Sequence, residues 1–145
     1  MTNRDRLRLG GCDPVLIAKV DALISAMHDE GHIVRVTRGL STAGQQMILY
    51  DQGRRTPGPD VSPTRPLGRV VTYCDGVHKK SNHQSGRAAD LCFVVNGSVS
   101  WAESLPWALL GETAEAVGLI WGGRWRVSDK GHVELAPRAA AEVIA

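Results

Sequence analysis

The stretch Ser81-Asn82-His83-Gln84-Ser85-Gly86-Arg87-Ala88-Ala89-Asp90 runs directly into Leu91-Cys92-Phe93-Val94-Val95, and its reading decides the fold. Gly86 marks a turn, after which Ala88 to Val95 has the length and β-branched content of a strand buried on both faces. Asn96-Gly97 is hairpin chemistry and sends the chain back toward Val99. Further on, Leu105 to Val117 has helical composition, with Pro106 in its first turn and Gly118 as its stop. Trp121-Gly122-Gly123-Arg124-Trp125 reads as a loop, His132 to Leu135 as a final strand, and Pro137 to Ala145 as a short tail helix. In the other direction, Val70 to Tyr73 suggests a strand and Gly53 to Gly68 a long surface loop. Thr42 to Gln52 reads as a short helix with Met47, Ile48 and Tyr50 available for packing. His32 to Thr37 alternates as a strand does. Asp13-Pro14 caps a helix over about residues 14–29, in which Val15, Leu16, Val20, Leu23, Ile24 and Met27 recur at helical spacing before Gly31. The pattern is that of an α+β domain, a small antiparallel sheet with flanking helices.

The bulk composition agrees with one globular domain over residues 1–145, built around a single core. Hydrophobic residues make up 43% and charged residues 22% of the chain, the balance of a folded rather than a disordered protein. A net charge of +2 is too small to argue for a nucleic-acid partner, though it suits an anionic polymer. Cys12, Cys74 and Cys92 are odd in number and form no C-x-x-C pair, so neither a disulfide framework nor a thiolate metal knuckle is indicated. No stretch approaches the roughly 18 apolar residues of a membrane span, and no apolar run follows the basic start. Cytoplasmic synthesis without a signal peptide, and no stable membrane association, are the expectations.

His83 and Asp90 are answered by Asp129-Lys130-Gly131-His132. A carboxylate inside an apolar strand is costly unless it is paired or bound to a metal. Two imidazoles and one carboxylate suffice to hold a catalytic zinc ion, leaving one position for a water whose pKa falls to about 7. Spacing alone leaves other readings open: Asp90 could pair with Arg87 or Arg126, and a lone histidine is commonly a hydrogen-bonded core or surface residue.

Residues 81–90 satisfy every fixed position of S-x-H-x-x-G-x-A-x-D. In this respect the chain resembles the zinc D-Ala-D-Ala carboxypeptidase and L-alanyl-D-glutamate peptidase family, the VanY type, whose fold is shared with the Hedgehog signalling domain. Further similarity extends from about residue 10 to 135. It includes Gly11-x-x-Pro14, Thr37-Arg-Gly-Leu-Ser-Thr42, Gln46-x-x-Leu49-Tyr50-x-Gln52-Gly53-Arg54, Pro57-Gly58, Trp121-Gly-Gly-x-Trp125 and Asp129-x-x-His132-x-Glu134. These landmarks resemble the endolysin branch of phages and prophages, which cuts the L-Ala–D-Glu bond of peptidoglycan stem peptides. The resemblance implies a Hedgehog/DD-peptidase-like fold, Zn2+ held by His83, Asp90 and His132, and Asp129 as the catalytic acid. In that role one carboxylate takes a proton from the attacking water and hands it to the departing amine. Glu134 is its rival, since residues two apart in a strand share a face. The alternative for Glu134 is a group that supports the ligands or forms a salt bridge.

Ser81 opens the signature and is expected to contact substrate, its other reading being a turn or cap hydroxyl. The family's arginine is absent at Ser41, and Arg38 is the candidate to hold a substrate carboxylate instead. Trp121 and Trp125 could line a groove against a sugar or peptide, but packing is the favoured reading, with the glycines between them permitting a tight turn beside the site. The implied activity is that of an L-alanyl-D-glutamate endopeptidase of endolysin type. The alternatives are a D-Ala-D-Ala carboxypeptidase and a non-catalytic zinc-stabilised wall-binding module. The expected partner is the peptidoglycan peptide, reached after release through a membrane-perforating partner.

Overall fold

The first helix, α1 (Asn3–Arg8), begins at Thr2, whose hydroxyl accepts from the Asp5 N–H while the Asp5 carboxylate accepts from the Thr2 N–H. This reciprocal cap satisfies two donors that a helix start leaves orphaned. The computed structural model of the chain describes residues 1–40, 43–72, 74 and 82–137, and the tail helix expected beyond Pro137 lies outside these. Asp13 caps α2 (Pro14–Asp29) by accepting from the Val15 N–H, and Leu16, Val20, Leu23, Ile24 and Met27 form its buried stripe. The expected helix over 14–29 is therefore observed at its expected bounds.

The sheet comprises β1 (Ile33–Arg38), β2 (Ala88–Val95), β3 (Ser98–Ser100), β4 (Leu119–Trp121) and β5 (His132–Leu135). Its order is β1-β2-β5-β4, with β3 also paired to β2, and every pairing is antiparallel. Asn96 and Gly97 both have positive φ (51° and 80°), so the β2–β3 hairpin takes the turn that its sequence demands. α2 and α4 (Trp107–Ala116) pack on each other, α2 also against β1 and α4 also against β4. Between helices and sheet lie Leu16, Leu23, Met27, Val34, Val36, Leu91, Phe93, Leu110 and Val133, each 2% exposed or less. This is the α+β architecture that the sequence pattern implies.

Val36, on the open flank of β1, is served by side chains. Its N–H donates to Asp5 (2.9 Å) and its carbonyl accepts from Arg8 (3.0 Å), so α1 satisfies backbone groups that no strand covers. Four local expectations need correction. α1 went unread because its capping signal sits in a charged stretch without apolar periodicity. Val70 to Thr72 form no strand; β-branched residues alone do not supply a pairing partner. β4 falls where a loop was expected to start. In α3 (Ala43–Asp51), Ile48 is exposed while the amide of Gln46 is 1% exposed.

Candidate metal centre

Asp90 on β2 and His132 on β5 are direct register partners, which places their side chains on one face of the sheet. His83 arrives from the turn over residues 82–86. Gly86 has φ +70°, and its carbonyl accepts from the Asp13 N–H, so the turn is fastened to the start of α2. A Cβ at Gly86 would stand 3.1 Å from the Cys12 Cα and 3.2 Å from the Gly11 carbonyl oxygen, which explains glycine here beyond its φ. His83 Nε2 lies 3.3 Å and His132 Nδ1 3.2 Å from the same oxygen, Oδ1 of Asp90. One donor atom from each of the three residues falls within 4.8 Å of the others.

The far nitrogens of both rings are engaged. His83 Nδ1–H donates to the Gly39 carbonyl at 2.9 Å, and His132 Nε2–H donates to Glu134 Oε1 at 2.7 Å. These bonds select which nitrogen of each ring turns inward, Nε2 for His83 and Nδ1 for His132. Both rings are buried, at 3% and 7% exposure. Two imidazole nitrogens and a carboxylate oxygen converging on one point make a donor set that suits zinc. His83, Asp90 and His132 therefore constitute a candidate zinc site.

The charges reflect this crowding. Burial by itself would raise the Asp90 carboxyl, but hydrogen bonds from His132 and His83 outweigh it and hold the group well below the usual carboxylate range. Burial opposes a charge on His132, yet its bonds to Asp90 and Glu134 push it up to about 9. In the metal-free chain the His132 proton thus supplies positive charge to the site. Arg38 is lowered by burial, with Asp90 and Asp129 acting the other way.

Asp129 follows the 3-10 turn Gly122–Arg124, and its N–H donates to the Gly122 carbonyl at 2.9 Å. A Cβ on Gly122 would lie 2.6 Å from the Asp129 carbonyl oxygen, so this approach requires glycine. Asp129 Oδ2 stands 4.0 Å from His132 Nδ1, on the inward side of the ring, while its side chain remains 55% exposed. Loss of hydration, then the Asp90 charge, raises its carboxyl above the ordinary value. Arg38 stands at a shift in the β1–β2 register, a bulge between Val36 and Arg38 that re-aims the side chain. Its Nη1 lies 3.8 Å from Asp90 Oδ2, and Nη2 donates to Gln46 at 2.7 Å. The alternative partner Arg87 pairs with Asp13 instead. Ser81 and Ser41 lie outside the described residues.

Two contributors escaped the sequence reading. The buried Gln46 amide donates to the Thr72 hydroxyl and the Cys74 carbonyl as it accepts from Arg38. Asn82, within the quoted signature, donates to Glu134 at 2.7 Å. Trp125, for which packing was favoured over lining a groove, is 41% exposed with its ring centroid 4.8 Å from that of His132, so the groove-wall alternative is the one that holds. Trp121 does pack, its ring lying over Gly111 and Gly123 and its Nε1 donating to the Lys130 carbonyl.

The arrangement has known counterparts. Over 94% of this chain and 89% of the other, the fold matches the L-Ala D-Glu endopeptidase ChiX of Serratia marcescens, with a TM-score of 0.67 at 20% identity. It also matches the vancomycin resistance D,D-pentapeptidase VanY in complex with Zn(II), with a TM-score of 0.61 at 19% identity over 92% of this chain and 77% of that one. Likenesses at these identities establish the fold, an antiparallel sheet with flanking helices. In sequence, residues 75–135 match the family model described as D-alanyl-D-alanine carboxypeptidase. The peptidoglycan L-alanyl-D-glutamate endopeptidase CwlK of Bacillus subtilis (strain 168) is 31% identical over 134 residues, spanning 86% of this chain and 73% of that protein. The chain belongs to this D-alanyl-D-alanine carboxypeptidase family of metallopeptidases.

Proposed function

We propose that this protein is a zinc endopeptidase that cleaves the L-alanyl–D-glutamate bond of peptidoglycan stem peptides, with His83, Asp90 and His132 as ligands and Asp129 as proton carrier. The observation that carries the reading is the placement of the two acids about His132. Asp129 stands on the side of Nδ1, the nitrogen turned toward Asp90 and His83, whereas Glu134 holds the opposite nitrogen. When bound, zinc supplies Lewis acidity toward the scissile carbonyl and the attacking water. Asp129 accepts the water's proton and delivers it to the departing amine, and burial beside Asp90, which raises its carboxyl in the metal-free chain, suits a group that both takes and gives a proton. With zinc bound, the inward nitrogens of His83 and His132 would give up their protons, and the far-side donations to Gly39 and Glu134 would hold each ring in that tautomer. Trp125 shields one flank of the reacting groups from water.

Arg38 lines a hollow of about 410 Å³ together with Arg8, Leu40 and Ile48. A guanidinium at this rim suits the free carboxylate of a D-glutamyl residue. Ser81 is retained as a second substrate contact on the strength of the signature. The choice of bond follows the activity in the names of CwlK and ChiX. The description of the family model favours a second reading, release of terminal D-alanine. A lysis role of phage or prophage type, with release through a membrane-perforating partner, extends the first reading.

Digestion of purified wall material by the zinc-loaded protein is expected to expose new N-terminal D-glutamate, read by mass spectrometry. Free D-alanine instead would establish the carboxypeptidase reading. Asp129→Ala should lower kcat by about 10²–10⁴-fold while zinc content stays at one ion per chain. Full turnover in that variant would remove Asp129 from the reaction.

A further inference from the structure

Glu134 touches both segments that bear the histidines. Its Oε1 accepts from His132 Nε2 at 2.7 Å, and its Oε2 accepts from the Asn82 side-chain amide at 2.7 Å. Asn82 immediately precedes His83 in a turn held by the Arg87 N–H on the Asn82 carbonyl (2.9 Å) and by the Ser85 hydroxyl on the same oxygen (3.0 Å). Glu134 itself is fixed in the ladder opposite Ala88 and beside Ile120, and its side chain is only 13% exposed. A single carboxylate thus spans from His132 on β5 to the loop of the other histidine, on the far side of the His132 ring from the Asp90 oxygen that both rings share.

We infer that Glu134 and Asn82 act as a paired positioning device, which sets the His132 ring and the His83 turn at one separation and thereby tunes zinc affinity. The inference rests on the reading of His83 and His132 as ligands. Neither residue touches the reacting atoms. Glu134 orients one ring by accepting its outer N–H, and Asn82 fixes the rotation of that carboxylate while tethering the turn. Glu134 sits at His132 Nε2, the nitrogen opposite the one turned toward Asp90, and both of its oxygens already accept a hydrogen bond, so it is a poor candidate for moving protons in the site.

The test is the zinc dissociation constant, measured by competition with a chromophoric chelator in the absence of substrate, for the full chain and for Glu134→Ala, Glu134→Gln and Asn82→Ala. Glu134→Ala should weaken zinc by about 10–100-fold. Asn82→Ala should weaken it by less, and should add nothing in the Glu134→Ala background, because both losses act through one carboxylate. Glu134→Gln keeps an acceptor for His132 but presents an N–H to Asn82 or to His132, and should fall between wild type and Glu134→Ala. With zinc in excess, Glu134→Ala should recover most of the wild-type kcat. Wild-type zinc affinity in Glu134→Ala or Glu134→Gln overturns the proposal. So does strict additivity of the two alanine variants, or a Glu134→Ala protein that binds zinc normally yet stays inactive, which would make Glu134 the proton carrier. Should Glu134→Ala not fold, Glu134→Gln and Asn82→Ala still decide the matter. Because affinity is read without substrate, a wild-type protein that cleaves no wall peptide would sink the proposed reaction and leave this result standing.

Discussion

At the residue scale, the site is a set of close contacts around His132. Its folded-state value of about 9 lies above the 6.5 of a free imidazole, so protonation favours the folded metal-free chain. The sign follows directly: this contribution is fully present below about pH 6.5 and is lost as pH rises through about 9. The metal-free protein should therefore show a higher urea midpoint at pH 6 than at pH 9.5. His132→Asn should flatten that difference, and an unchanged slope would remove His132 as its source. Gly122 is the second sensitive position. Gly122→Ala would push a methyl group against the Asp129 carbonyl and the His132 Cβ (2.6 and 3.0 Å), displacing Asp129, the proposed proton carrier. Such a shift of about 1 Å is expected to cost on the order of 10²-fold in kcat, with the circular dichroism spectrum unchanged. The quoted signature exposed His83 and Asp90 in the sequence because Asp90 is a charge in an apolar run. Gln46 was illegible there, and Trp125 was legible only as a choice between packing and lining a groove. The partners of Gln46 come from distant segments, and the exposure of Trp125 depends on how the turn from Gly122 closes.

At the element scale, α1 is the part most easily overlooked and most directly tested. Asp5 is fully buried and accepts from two backbone donors, Thr2 and Val36. Asp5→Ala leaves the Val36 donor without its partner, which costs about 1–3 kcal/mol. The expected outcome is a lower denaturant midpoint with an unchanged m-value. Helices and strands that announce themselves locally were readable: α2 through its cap and stripe, β2 through its apolar run, and the β2–β3 hairpin through Asn96-Gly97. β4 was not, since three residues acquire strand geometry only by pairing with β5. The bulge at Arg38 is likewise invisible in sequence, because it exists only relative to the partner strand.

At the scale of the whole molecule, metal binding at the candidate site would be coupled to folding, since His83, Asp90 and His132 come from one turn and two strands that the folded sheet brings together. Zinc at one hundred times its dissociation constant should stabilise the chain by about 2.7 kcal/mol. Calorimetry with added chelator should show the melting temperature fall accordingly, and a melting temperature indifferent to both zinc and chelator would remove the site. The family signature pointed to the ligands, but the reason they meet is topological. The connection from β2 runs out through α4 and returns as β5 beside it.

The direct opposition of Asp90 and His132 in the ladder has one more consequence. Sliding β5 by a single residue would present Val133 to Asp90 and turn the imidazole to the other side of the sheet. Such a misaligned pairing would part the proposed ligands, so an ion held by His83, Asp90 and His132 would favour the one alignment in which the strands meet correctly.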